Sequence, residues 1–293
     1  MQSPFLILCP LRSFSSLVCG MLGQHPDLYG MPELNLFQHD TLGPLMQLHH
    51  KRRPHGAHGL LRALAQLHDG EQTVETVERA KAWVREHAHW STRQVFVHLA
   101  ELVAPRIIID KSPATVMSPK FLNRAIAMFP DASFLHLTRH PRSTGKSIID
   151  LVSRNDEWDG PVDPENIDPE RIWRVSHGNV KRFCNSLPEG QCMRLRGEDL
   201  LSELDTYLPQ ICEWLGIRDD AEAIEAMKHP ETSPYACIGP DNSKYGNDPN
   251  FLNSPVFRPG RVSEPQLAGD MDWAPGKPFP APIVKLAKEF GYR

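Results

Sequence analysis

The strongest constraint on this chain lies in its first two dozen residues. Phe5-Leu6-Ile7-Leu8-Cys9 is an unbroken apolar run, short enough to be a strand buried in a sheet. It leads directly into Pro10-Leu11-Arg12-Ser13-Phe14-Ser15-Ser16. From Ser15 to Leu22 the residues Leu17, Val18, Met21 and Leu22 then form one helical face, which Gly23 and Pro26 interrupt. A strand feeding a helix through so short a loop exposes backbone N–H groups at the helix start. There the helix dipole, Arg12 and the serine hydroxyls favour an anion such as phosphate. The alternative is an Arg/Ser turn that only caps a core helix. The loop has neither the second glycine nor the lysine of GxxxxGK[ST], which disfavours an ordinary ATP or GTP hydrolase.

The same alternation recurs downstream. Arg106 to Ile109 reads as a strand ending at Asp110-Lys111-Ser112-Pro113, and Ser118-Pro119 supplies an N-cap and a first-turn proline for a helix through Met128. Ser133 to Thr138 is a third strand, and Pro141 opens another helix through Val152. Strand and helix in alternation imply an α/β fold: a P-loop-like three-layer core with a mostly parallel central sheet. Between the first two of these strands, residues 41 to 105 read as a helical insertion, with pieces at 41 to 50, 57 to 67, 73 to 89 and 91 to 103. After the loop from Asn155 to Glu170, a helix is expected over 171 to 187, a strand over 192 to 195 and helices over 203 to 215 and 219 to 228. Residues 230 to 293 form a tail rich in Pro, Gly, Asn and Asp, expected to lie over the core and to end in a helix over 282 to 290. No boundary splits the chain, so residues 1 to 293 read as a single domain.

Composition narrows the function classes. A formal net charge of −4 argues against a general nucleic-acid coat, and no run of about 20 apolar residues announces a transmembrane helix. The six cysteines include no CxxC pair, which favours a reducing, cytoplasmic setting. The 14 histidines raise the question of a metal. Yet His49-His50, His55 with His58, and His87 with His89 lack the accompanying ligands of a known site, HExxH is absent, and no metal is expected.

A second candidate site lies at Leu137-Thr138-Arg139-His140-Pro141-Arg142, again where a strand meets a helix, and so at the carboxyl edge of a parallel sheet where ligands bind. Arg139 can make charge-assisted bonds to phosphate, and Ser147 can reach back from the second helical turn. Arg142 reads equally well as a surface residue. Lys111, just past its strand, either projects into the same cleft or pairs at the surface with Asp110.

Together PLRSFSS and LTRHPRSTGKSI, with IIIDKSP between them, resemble the phosphate-binding motifs of sulfotransferases that use 3'-phosphoadenosine 5'-phosphosulfate, PAPS. The resemblance implies that Arg12, Ser13, Phe14, Ser15 and Ser16 hold the 5'-phosphosulfate end, and that Arg139 and Ser147 hold the 3'-phosphate. It further implies that Lys111 contacts the bridging oxygen, where charge grows as the bond breaks, and that Arg12 acts with it as a catalytic residue by stabilising the departing 5'-phosphate. Adenosine 3',5'-bisphosphate would be the product, and the acceptor a hydroxyl on a small molecule or a carrier-bound acyl chain. The spacing from Arg12 through His25 to Glu33 is similar to the protein-tyrosine sulfotransferase branch, which implies Glu33 as general base. An acidic cap or salt-bridge role is its plainer alternative, and His98, His89 and His140 are the other candidates.

Two positions depart from the pattern. Phe14 stands where glycine is usual, so its loop must accommodate a Cβ and a ring. In Arg196-Gly197-Glu198-Asp199-Leu200, which resembles a segment often reading RYEDL, Gly197 replaces a tyrosine. Arg196 is then either a replacement donor contact or an ion-pair partner of Glu198 or Asp199. The tail, with Tyr235, Gly246 to Phe251 and Phe257-Arg258, is similar to that of bacterial sulfotransferases, including domains attached to polyketide synthases, and implies that Arg258 contributes to nucleotide binding. A kinase or hydrolase, or an inactive nucleotide-binding protein, are the competing readings.

Overall fold

The computed structural model describes residues 2–52, 55–153 and 167–293; most of the loop expected from Asn155 to Glu170 lies outside them. Five strands, β1 (Phe5–Leu8), β2 (Leu28–Gly30), β3 (Ile107–Asp110), β4 (Ser133–Thr138) and β5 (Cys192–Arg196), form one sheet in the order β2-β3-β1-β4-β5. Every pairing is parallel, with Phe5 opposite both Ile109 and Ser133. The apolar start of the chain is therefore the central strand, buried on both faces.

The two faces of β1 serve two cores. Leu6 and Leu8 pack with the insertion helices α2 (Leu42–Arg52), α3 (His58–Asp69), α4 (Val74–Glu86) and α5 (Thr92–Val103), and with α6 (Pro119–Met128). Phe5, Ile7 and Cys9 pack with α1 (Ser15–Leu22) and the later helices α9 (Gly197–Ser202), α10 (Leu204–Leu215) and α11 (Ala221–Ala226). Truncating such a fully buried leucine costs about 2–5 kcal/mol, so Leu6→Ala would weaken the sheet at its centre. Local signals set the helix starts. Thr73 and Ser91 make capping boxes, and Ser118 accepts from the Lys120 N–H.

Helices α7 (Pro141–Ser153) and α8 (Pro169–Cys184) follow β4. The tail holds α12 (Pro249–Asn253), the antiparallel pair β6 (Asp270–Met271) and β7 (Ala274–Pro278), and α13 (Ala281–Glu289). Its aromatics Phe279, Phe290 and Tyr292 close a third cluster around Trp173. The short elements β2, α9, α12, β6 and β7 were absent from the sequence reading, because two to six residues carry too little periodicity. Two cysteines also differ from expectation. Cys184 and Cys192 are joined by a disulfide, because the chain turns between α8 and β5 and brings their Cα atoms to 5.7 Å; Cys9, Cys19, Cys212 and Cys237 are free. Among the described residues no helix is long and apolar enough to cross a membrane.

Candidate active site

All three motifs leave the carboxyl ends of neighbouring strands. Leu11 to Phe14 follow β1, Lys111 follows β3 and Arg139 follows β4, so parallel pairing alone brings them to one edge. The first loop is tightly bent: Arg12 and Phe14 both have left-handed backbone, with φ 63° and 65°. Two non-glycine residues in that region within one loop mark a conformation held by its surroundings. The bend buries Ser13, Ser15 and Ser16 at the start of α1, whose first N–H groups have no intrahelical acceptors. Phe14, at the N-cap, makes no side-chain cap bond.

Arg12 donates from Nε to Ser147 Oγ on α7 at 2.9 Å, and its Nη1 pairs with Asp248. Arg139 donates to the Arg12 carbonyl at 2.7 Å, and its guanidinium lies 4.1 Å from the centroid of the Phe14 ring. Burial draws its pKa down to about 10, which leaves it cationic at neutral pH. Arg12, Phe14, Arg139, Ser147 and Asp248 line a cavity of about 250 Å³. Around it, Arg139 Nε and Ser13 Oγ are buried with no hydrogen-bond partner among the described residues. Unmet donors in a cationic cavity suit a phosphate-bearing ligand.

Lys111 is fully buried. Its Nζ donates to Ser16 Oγ at 2.8 Å and to Glu33 Oε1 at 3.0 Å. The surface pairing with Asp110 is thereby replaced. Asp110 turns toward Leu34 and Ser112, accepting from both backbone N–H groups and from Ser112 Oγ, and burial pushes its pKa up to about 6. Glu33 is held by a crossing of three segments. Its N–H donates to the Gly246 carbonyl at 2.7 Å, and Gly59 passes so close that a Cβ there would stand 2.1 Å from the Glu33 carbonyl oxygen. Gly246, at φ 109°, packs on Gly59 in turn. The insertion and the tail thus fix the carboxylate that Lys111 meets.

Glu33 opens on a second cavity of about 190 Å³, walled by Leu11, Pro113, Met117 and Leu151, with Asn35, His55 and Tyr245 as its polar and aromatic members. Arg12, Ser16 and Asp248 line both cavities, so the two meet there. One side is built for anions. The other presents a carboxylate among apolar walls.

Other singled-out residues stand apart. Arg196 pairs with Glu264 and Asp199 and donates to the Gly291 carbonyl, and Arg258 donates to Ser254; neither lines the two cavities. Arg142 pins the tail through the Gln266 and Ala268 carbonyls and Asp272. His25 bonds Arg218 and Asp27, His140 accepts from the Arg142 N–H, and His98 meets His68 at 2.8 Å. His89, in the turn that follows α4, lines neither cavity. The insertion histidine that does reach the cavity is His55, packed edge-on against Tyr245; in the sequence it stands out only beside His58, as a pair without the further ligands of a metal site. Asp248 was flagged only as part of its segment, although Asp-Pro at a helix start is a legible cap.

Comparison with known proteins shows the fold and the family. No curated protein sequence gives a significant match. Among solved structures, the chain is similar to a sulfotransferase domain from the olefin synthase of Synechococcus PCC 7002, at 26% identity and a TM-score of 0.77, covering 100% of this chain and 97% of that one. A sulfotransferase domain from the curacin biosynthetic pathway shares the fold at 23% identity and a TM-score of 0.74, covering 100% and 99%. The sulfotransferase family model matches residues 4–221, which contain the β1 loop, Glu33, Lys111, Arg139 and Ser147, and the chain belongs to the sulfotransferase family.

Proposed function

We propose that this protein moves a sulfuryl group from PAPS to a hydroxyl on an acceptor with an apolar body, releasing adenosine 3',5'-bisphosphate. The observation that carries this reading is the Lys111 ammonium, buried between Ser16 of the anion-binding loop and Glu33 of the apolar cavity. Arg12, the α1 N–H groups and Ser13, Ser15 and Ser16 would hold the 5'-phosphosulfate, while Arg139 and Ser147 would hold the 3'-phosphate. In the transfer, the bond from sulfur to the bridging oxygen breaks and one from sulfur to the acceptor oxygen forms. The acceptor proton goes to Glu33. Lys111, by turning toward the bridging oxygen, stabilises the charge left there and frees Glu33 Oε1 for that proton.

Glu33 is preferred as base over His89, His98 and His140 because it lines the acceptor cavity, and over His55, which lines the same cavity, because it meets Lys111. That preference rests on geometry and not on any particular likeness to the protein-tyrosine branch. The walls formed by Leu11, Pro113, Met117 and Leu151 favour a hydroxylated acyl chain, free or on a carrier, and the relative from an olefin synthase points the same way. Calorimetry with adenosine 3',5'-bisphosphate in EDTA should show tight binding that Arg139→Ala weakens; preference for ATP with Mg2+ would overturn the reading. Labelled PAPS with a panel of hydroxyacyl carriers, phenols, sterols, sugars and tyrosine peptides then identifies the acceptor.

A further inference from the structure

Phe14 and Gly197, the two departures from the motif pattern, touch each other. A Cβ on Gly197 would stand 2.6 Å from Phe14 Cδ2 and 3.2 Å from the Thr138 carbonyl oxygen, so no larger residue fits there while the ring is in place. The ring also carries the Arg139 guanidinium, 4.1 Å from its centroid, and lines the donor-side cavity. The next residue after Gly197 is tied to the same corner. Glu198 is buried, accepts from the His140 N–H at 2.8 Å and from the Tyr292 hydroxyl at 3.0 Å, and so holds α9 against the segment that bears Arg139. Phe14 is thus clamped between a residue without a side chain and a cation.

An arginine lying on an aromatic face has its plane fixed, which leaves its N–H edges free to meet a ligand in a set direction. Arg139 donates from Nη1 to the Arg12 carbonyl, and its Nε is buried beside the cavity with no hydrogen-bond partner among the described residues. We propose that Phe14 positions Arg139 for the 3'-phosphate of the donor, and that Gly197 is the clearance that lets the ring do so. The left-handed backbone at Phe14 is what turns the ring to that place. The inference rests on the PAPS reading above and assigns Phe14 a positioning role within it.

The test compares binding of adenosine 3',5'-bisphosphate with that of adenosine 5'-monophosphate, whose affinity ratio reports the 3'-phosphate alone. Phe14→Leu should lower that ratio about tenfold, and Phe14→Tyr should keep it. Gly197→Ala should reproduce the loss by displacing the ring. Adding Phe14→Leu to Arg139→Ala should change the ratio no further, since the two act through one contact. Melting midpoints without ligand check the clearance: Gly197→Ala should lower Tm more in the natural protein than in a Phe14→Gly background, where the Thr138 carbonyl is the close neighbour that remains. A wild-type protein that does not prefer the bisphosphate overturns the PAPS reading, and the positioning role with it. A wild-type preference that Phe14→Leu leaves intact, or Gly197→Ala effects that are the same in both backgrounds, overturns only this inference.

Discussion

The two halves of the active site are built in different ways. The donor half takes Arg12, Lys111 and Arg139 from the ends of three adjacent parallel strands, so the sheet itself sets their separations. The acceptor half takes Glu33, His55 and Tyr245 from loops, the insertion and the tail, and they are joined by packing and by isolated hydrogen bonds, such as that from the Glu33 N–H to the Gly246 carbonyl, and not by a sheet. The lesson is one of rigidity and tolerance. A site on strand ends is fixed by backbone hydrogen bonds, whereas a site on packed loops can change its shape without changing the sheet.

The sharpest test of that division is Glu33→Gln, which keeps the side-chain volume and removes the base. Turnover should fall about 10³-fold while bisphosphate affinity stays within about twofold, read by single-turnover sulfation and calorimetry. A loss of donor affinity would mean that Glu33 belongs to the donor half. Lys111→Met should cost about 10² in kcat, because it removes the cation at the bridging oxygen. If it were to raise only the acceptor KM, the role given to Lys111 would be wrong.

Acid should discriminate the halves through stability. Burial lowers the pKa of His177 to about 3, of His140 and His58 to about 4, and of His136 well below 6.5. A histidine whose folded pKa is depressed contributes stability that is present above its unfolded pKa of 6.5 and lost as pH falls toward the folded value. Each costs up to about 1.4 kcal/mol per pH unit in that window. Asp110 and Glu198, whose carboxyl pKa values burial raises, act with the opposite sign but are outnumbered. Tm should therefore fall steadily from pH 6.5 to 4. Three of these imidazoles lie in or next to β4 and α8, so bisphosphate binding should weaken with it; a flat Tm profile would show that the histidines are not held neutral. The smallest effect belongs to the cavity wall. Met117→Ala should raise the acceptor KM roughly threefold and leave donor affinity alone, since its side chain is only partly covered.

Much of the donor half was legible in the sequence. The apolar run before Pro10, the Ser118-Pro119 cap and the strand before Arg139 each announce their element locally, and the residues just past the strands are the ones the structure gathers. Arg196 takes the ion pair with Asp199 that the sequence left as an alternative and adds Glu264 from the tail, while Arg258 donates to Ser254. No local pattern shows that Arg196, one residue before Gly197, faces the tail. His55 and Asp248 were missed as site residues for the same reason, because their position depends on how loops far apart in sequence meet.

By itself the sequence determined the central strand, the alternation of strand and helix, and the loop that crowds serines and Arg12 at a helix start. These follow from burial periodicity and from chain geometry over a few residues. Only the tertiary structure decided that Lys111 turns from its neighbour Asp110 to Glu33, that Gly59 and Gly246 hold Glu33 in place, and that Phe14 and Gly197 answer each other across the chain. The reason is physical: hydrogen bonds within an element are set by neighbours in sequence, while close approach of two backbones, or of a ring and a missing side chain, is set by the packing of the whole.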